Sequence, residues 1–84
     1  NGLLTTQQVN EMEKLKTIMK NDDEIIALKN NIKKATDSKL QNGTATVTDL
    51  LRDINSENIA KQARLLHEIQ LYSTYYQYIT NTNN

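Results

Sequence analysis

The residues of this chain able to move protons or hold ions are few, and their spacing is poor for catalysis. The single histidine, His67, sits next to Glu68. Neighbouring positions on a helix point about 100° apart, so the two do not face one another as an acid–base pair. His67 is therefore expected to be a solvated or interface side chain. Asp22-Asp23-Glu24 concentrates carboxylates but lacks the glycine and the spaced ligands of a calcium loop. There is no cysteine, and one histidine alone cannot build a zinc site. No serine–histidine–acid arrangement and no phosphate-cradling glycine loop occur. Tyr72, Tyr75, Tyr76 and Tyr78, at helical spacing in a neutral chain, are expected as core and rim packing rather than as a platform for stacked bases. Lys33-Lys34 is too short a run for a nucleic-acid patch. Ten basic residues balance ten acidic ones, so no general attraction to nucleic acid is expected. These residues point away from an enzyme, and no cofactor or metal is expected.

The elements that carry them are helical. With 84 residues there is room for one small domain, whose own core is marginal unless disulfides, metals or association help. Disulfides and thiolate metals being unavailable, association or docking into a larger parent remains. Proline is absent and glycine occurs only at Gly2 and Gly43, which favours long uninterrupted helices. Apolar residues step by three and four from Val9 to Leu40 and again from Val47 to Ile79. The Asn21–Glu24 interruption reads as a solvated patch on one continuous helix; a break with a new N-cap at Asp22 or Asp23 is the rival. In the second stretch the heptad trace through Val47, Leu51, Ile54, Leu65, Tyr72, Tyr75 and Ile79 is apolar, with Asn58, Lys61 and Glu68 also falling on it. Doubled pairs such as Leu50-Leu51 and Leu65-Leu66 widen the apolar sector beyond what a two-stranded seam needs, which implies neighbours on two sides. Glu57 and Lys61 form a weak i,i+4 pair.

Between the stretches, Gly43 can end a helix in a left-handed conformation. Thr46 followed by Asp49 matches a capping box with aspartate in the acidic place, and Thr44 is a competing N-cap. Lys39 and Asp49 suit the dipoles of the helix ends they occupy. Helices of nearly equal length joined by a short connection make an antiparallel hairpin. The expectation is an all-α fold: a helix over about 6–41, a turn at 42–45, a helix over about 46–79 and a frayed tail at 80–84. No apolar run approaches the roughly 18 residues of a membrane span. The chain opens Asn1-Gly2-Leu3-Leu4 with no initiator methionine or signal peptide, and reads as a piece of something longer.

The segment Asn42-Gly43-Thr44-Ala45-Thr46-Val47-Thr48-Asp49-Leu50-Leu51 resembles the hairpin tip of outer-membrane efflux proteins, the TolC family. There a glycine–threonine step, a hydroxyl residue and an aspartate followed by aliphatic residues lead into a long second helix. Downstream, His67-Glu68-Ile69-Gln70-Leu71 and Tyr75-Tyr76-Gln77-Tyr78 resemble the end of that helix. Upstream, Asp22-Asp23-Glu24-Ile25-Ile26-Ala27-Leu28 is similar to members from Bacteroides-type bacteria. The resemblance spans most of the chain. It implies a homotrimeric parent with an outer-membrane β-barrel and a periplasmic α-barrel, of which this chain is one hairpin. No alternating strand segments of roughly ten residues occur here. It further implies that the tip docks a periplasmic adaptor protein in a tripartite efflux or type I secretion system. The adaptor-contacting residues it points to are Asn42, Gly43, Thr44, Ala45, Thr46 and Val47, flanked by Leu40, Asp49 and Leu50. Some members carry a tyrosine and an arginine that hold the aperture shut. Leu40 and Ala45 stand at those places, so that gating network is not expected. Self-association of the chain on its own is expected, because its wide apolar sector lacks its neighbours. The alternative reading is a structural coiled coil or an adaptor hairpin without channel function.

Overall fold

The computed structural model describes the backbone of residues 2–83 and the side chains of residues 5–80. Two helices, α1 (Gly2–Gln41) and α2 (Val47–Asn83), fold back on each other as an antiparallel hairpin of 63 × 14 × 12 Å. Among the described residues there is no strand. α1 passes through Asn21–Glu24 without a break, as expected where neither glycine nor proline intervenes. It begins at Gly2 rather than near residue 6. α2 begins at Val47, because Thr46 is its N-cap. It does not uncoil at residue 80 but continues through Asn83, with the Thr80 hydroxyl donating to the Tyr76 carbonyl at 3.0 Å. Asn84, the last residue of the expected tail, lies outside the described residues.

Most of the covered positions fall on one heptad frame of each helix, those off it, such as Ile18, Ala63 and Glu68, being half-buried beside the seam. On α1 the frame holds Gln8, Met12, Leu15, Met19, Asp22, Ile26, Lys29, Lys33, Thr36 and Leu40, in steps of three and four. On α2 it holds Leu50, Asp53, Glu57, Ala60, Arg64, His67, Leu71, Thr74 and Tyr78. This inner frame is unusually polar. Leu15 is its one buried hydrophobic side chain among the described residues, while Asp22 and Glu57 are buried at 8% and 4% exposure. Two cross-helix pairs set the register, Asp22 with His67 and Lys33 with Glu57. Carried along the rods, that register sets Leu15 and Met19 against Thr74 and Leu71 at the open end, and Leu40 against Leu50 by the turn. The layers between hold Ile26 with Arg64, Lys29 with Ala60, and Thr36 with Asp53.

The middle of the hairpin is therefore inside out, and this corrects two expectations, the solvated patch at Asn21–Glu24 and the tyrosines as core packing. Asp22 is not solvated. The apolar heptad trace of α2 does not face α1: Val47 and Leu51 are each 60% exposed, and Leu65, Tyr72 and Tyr75 also face outward. Tyr76 is exposed as well, and of the four tyrosines Tyr78 alone is half-buried. The physical reason is a competition between frames. Apolar content favours the outer frame, whereas charge complementarity between the helices favours the inner one. The accessible surface, 6110 Å², exceeds the roughly 5,100 Å² of a compact protein of this mass.

Candidate docking tip and its flanks

The turn is built from backbone bonds that close both helix ends. Gly43 adopts φ +78°, the left-handed region where a side chain is strained. With Gly43 there, the Thr44 N–H donates to the Lys39 carbonyl at 2.8 Å and the Gly43 N–H to the Leu40 carbonyl at 3.0 Å. Together these make a Schellman cap, satisfying carbonyls that the last turn of α1 would leave unpaired. The Thr44 hydroxyl also donates to the Lys39 carbonyl at 3.2 Å, so Thr44 serves the end of α1 and not the start of α2. Three residues on, the capping box forms in both directions. The Asp49 N–H donates to the Thr46 hydroxyl at 3.1 Å, and the Thr46 N–H donates to the Asp49 carboxylate at 3.0 Å. The Thr46 N–H bond, then the Thr46 hydroxyl and the Arg52 charge hold the Asp49 carboxyl below the usual aspartate range. Asp49 is an N-terminal cap first and lies in the favourable field of the α2 dipole.

The structure brings the tip residues together as one rounded end. Asn42, Gly43, Thr44, Thr46 and Val47 are exposed, and Leu40, Ala45, Asp49 and Leu50 are half-buried behind them. A Cβ added at Gly43 would meet nothing within 4 Å, so the surface beside it is open. Hydroxyls at Thr44 and Thr46 are occupied in the caps, whereas Val47 and Leu51 form an apolar skirt below them.

Behind the tip, each helix carries a second heptad frame turned outward. On α1 it runs through Ile25, Leu28, Ile32 and Ala35, with Ile18 half-buried at its far end; on α2 through Val47, Leu51, Ile54, Leu65, Tyr72 and Tyr75, interrupted by Asn58, Lys61 and Glu68. The two lie on opposite flanks. Ile25 borders a groove shared with Ser56, Ile59 and Ala63. Ile54 borders the opposite groove, shared with Lys34, Asp37 and Lys61. Further along that second flank, Tyr72 and Tyr75 close a groove with Val9 and Met12.

Ion pairs and hydrogen bonds fasten the inner seam. Lys33 Nζ lies 2.7 Å from the Glu57 carboxylate, whose side chain is 5% exposed; Lys61 reaches the same oxygen at 3.9 Å. The Lys33 hydrogen bond holds the Glu57 carboxyl below the usual glutamate range against the opposing effect of burial, with Lys61 and Lys34 adding to it. His67 Nδ1 lies 2.6 Å from an Asp22 oxygen, which makes it an interface histidine across the seam. Glu68 instead accepts from Tyr72 and Arg64, and Arg64 also reaches Asp23 at 2.6 Å; the Asp23 bond and charge push the guanidinium further into its charged form. Sequence reasoning missed these cross-helix pairs. The signal was present: once the bend is placed at 42–46, testing each heptad frame for polar groups able to pair at facing positions finds Asp22–His67 and Lys33–Glu57.

Among the described residues no cluster of potential ligands could hold a metal ion, and no helix is long and apolar enough to cross a membrane. Comparison of the chain with protein-family models, curated proteins and solved structures gives no match.

Proposed function

We propose that this hairpin is a wall element and docking tip of a periplasmic α-helical duct, in an outer-membrane channel of the TolC type. One observation carries the reading: each helix turns apolar side chains outward, Ile25, Leu28 and Ile32 on α1 and Leu51, Ile54 and Leu65 on α2, and the two sets lie on opposite flanks. A two-stranded spacer needs one seam per helix. Helices with two seams at a wide angle pack on a neighbour at each side, and side-to-side repetition with a fixed rotation closes a ring. The resemblance of the tip segment to the family supplies the channel context. The polar inner frame suits a unit completed by neighbours, because the hairpin alone has almost no core.

On this reading the mechanism is passive. Hairpins line a water-filled conduit, and an adaptor's helical tips meet the exposed bend at Asn42–Val47, with Leu40, Asp49 and Leu50 shaping it from behind. No chemistry is performed and no cofactor is used. The parent is a homotrimer whose periplasmic portion holds this segment, and the chain by itself self-associates through its outer frames. The rival, a hairpin without channel function, differs in the surrounding gene: a channel parent contains a second, similar hairpin and four short alternating strands. The functional test is Gly43→Val in the parent, scored by drug-resistance complementation. Loss of resistance with normal trimer abundance supports docking at the tip. Unchanged resistance removes the docking role.

A further inference from the structure

The inner and outer frames share one register. Facing positions are fixed by Asp22–His67 and Lys33–Glu57. If both helices roll about their long axes by about 100°, one residue's worth of helical rotation, the outer frames meet in that same register. Ile25 then faces Leu65, Ile18 faces Tyr72 and Ala35 faces Ile54. Between these layers Asn21 meets Glu68, Leu28 meets Lys61 and Ile32 meets Asn58, so the rolled seam alternates apolar and half-polar layers, whereas the central layers of the observed one hold Asp22, Lys33, Glu57 and Arg64.

We propose that the hairpin is a two-state axial switch: an ion-paired packing with apolar flanks exposed, and a rolled packing with those flanks buried against each other. Charge pairs hold the first state, apolar burial favours the second, and anything covering the flanks selects the first by mass action. The occupant of each outer frame in the rolled state is the chain's own partner helix. The switch does not depend on the channel reading. It requires only the two frames and their common register.

Its test uses the absence of cysteine. Two double variants of the full chain report the two packings from adjacent positions. Thr36→Cys/Asp53→Cys sits in the inner frame. Ala35→Cys/Ile54→Cys sits on opposite flanks and meets only after the roll. Asn31→Cys/Asn62→Cys, exposed in both packings, is the control. Oxidation at dilute protein, read as intramolecular disulfide, traps even a minor state of roughly 1–10%. Ala35/Ile54 is expected to close well above the control. It should close faster in high salt, which screens the ion pairs. It should close several-fold more slowly in a Lys33→Met/Glu57→Met background, where Thr36/Asp53 still closes. Closure of Ala35/Ile54 at the control rate, closure only between chains, or closure indifferent to the Met/Met background each overturns the switch.

Discussion

Replacing Gly43 isolates how much of the hairpin rests on one backbone angle. At φ +78° any L side chain is strained, but open space around the added Cβ means the cost is local and not a clash with a neighbour. Alanine in the left-handed region costs about 1 kcal/mol, and valine, β-branched, about 2 kcal/mol or more. Asparagine tolerates that region better than either. For a domain of this size, 1 kcal/mol moves the melting midpoint by roughly 4–8 °C, so Gly43→Val should melt about 8–16 °C below the parent chain. The assay is thermal unfolding followed by far-ultraviolet circular dichroism at one fixed protein concentration, since association raises the apparent midpoint. The ranking is the sharper test: glycine, then asparagine, then alanine, then valine. An asparagine variant less stable than alanine, or a valine variant melting within a degree of the parent, would refute the left-handed cap as the cause.

Thr46→Ala removes one half of the capping box and should cost about 1 kcal/mol in urea unfolding; an unchanged midpoint would mean the box does not hold in solution. Asp49 and Glu57 both have carboxyls lowered from their ordinary values of 3.8 and 4.5. Their contribution is present above those values and lost as pH falls through the lower folded ones, so thermal stability should decline on acidification below about 4.5. A midpoint flat across that window contradicts both pairings. Lys33→Met alone leaves the buried Glu57 carboxylate without its main partner and should lower the midpoint, whereas Lys33→Met/Glu57→Met should restore or exceed it; equal effects of the single and double changes would show that the pair is not coupled. Ile25→Glu should weaken self-association in sedimentation while sparing helix content, because Ile25 faces outward; an unchanged association constant would place the interface elsewhere.

Much of the architecture was legible in the residues. The bend at Gly43, the Thr46–Asp49 cap and the continuity of α1 through Asn21–Glu24 follow from local chemistry, where one residue type satisfies one backbone need. The facing of the helices was harder to read. Apolar periodicity picks the most hydrophobic frame, and in α2 that frame, through Leu51, Ile54 and Leu65, points away from α1. Periodicity treats every apolar stripe as a core and cannot say which partner covers it. The inner frame is set by pairs far apart in sequence, Asp22 with His67 and Lys33 with Glu57, whose meeting depends on the fold already being known. The width of the apolar sector agrees with the apolar side chains, Leu51 and Leu65 among them, that α1 leaves exposed. The turn residues do lie together at one end of the hairpin, but Thr44 caps the first helix and not the second, a distinction that turns on the Lys39 carbonyl and not on residue type.

The length of the hairpin has a practical consequence for anyone handling it. A body 63 Å long and barely 14 Å across drags through solvent far more than a sphere of 9.6 kDa. On a sizing column a single copy will elute ahead of globular standards of its mass and pass for a dimer. Only a shape-independent mass, from sedimentation equilibrium or light scattering, can say how many copies travel together.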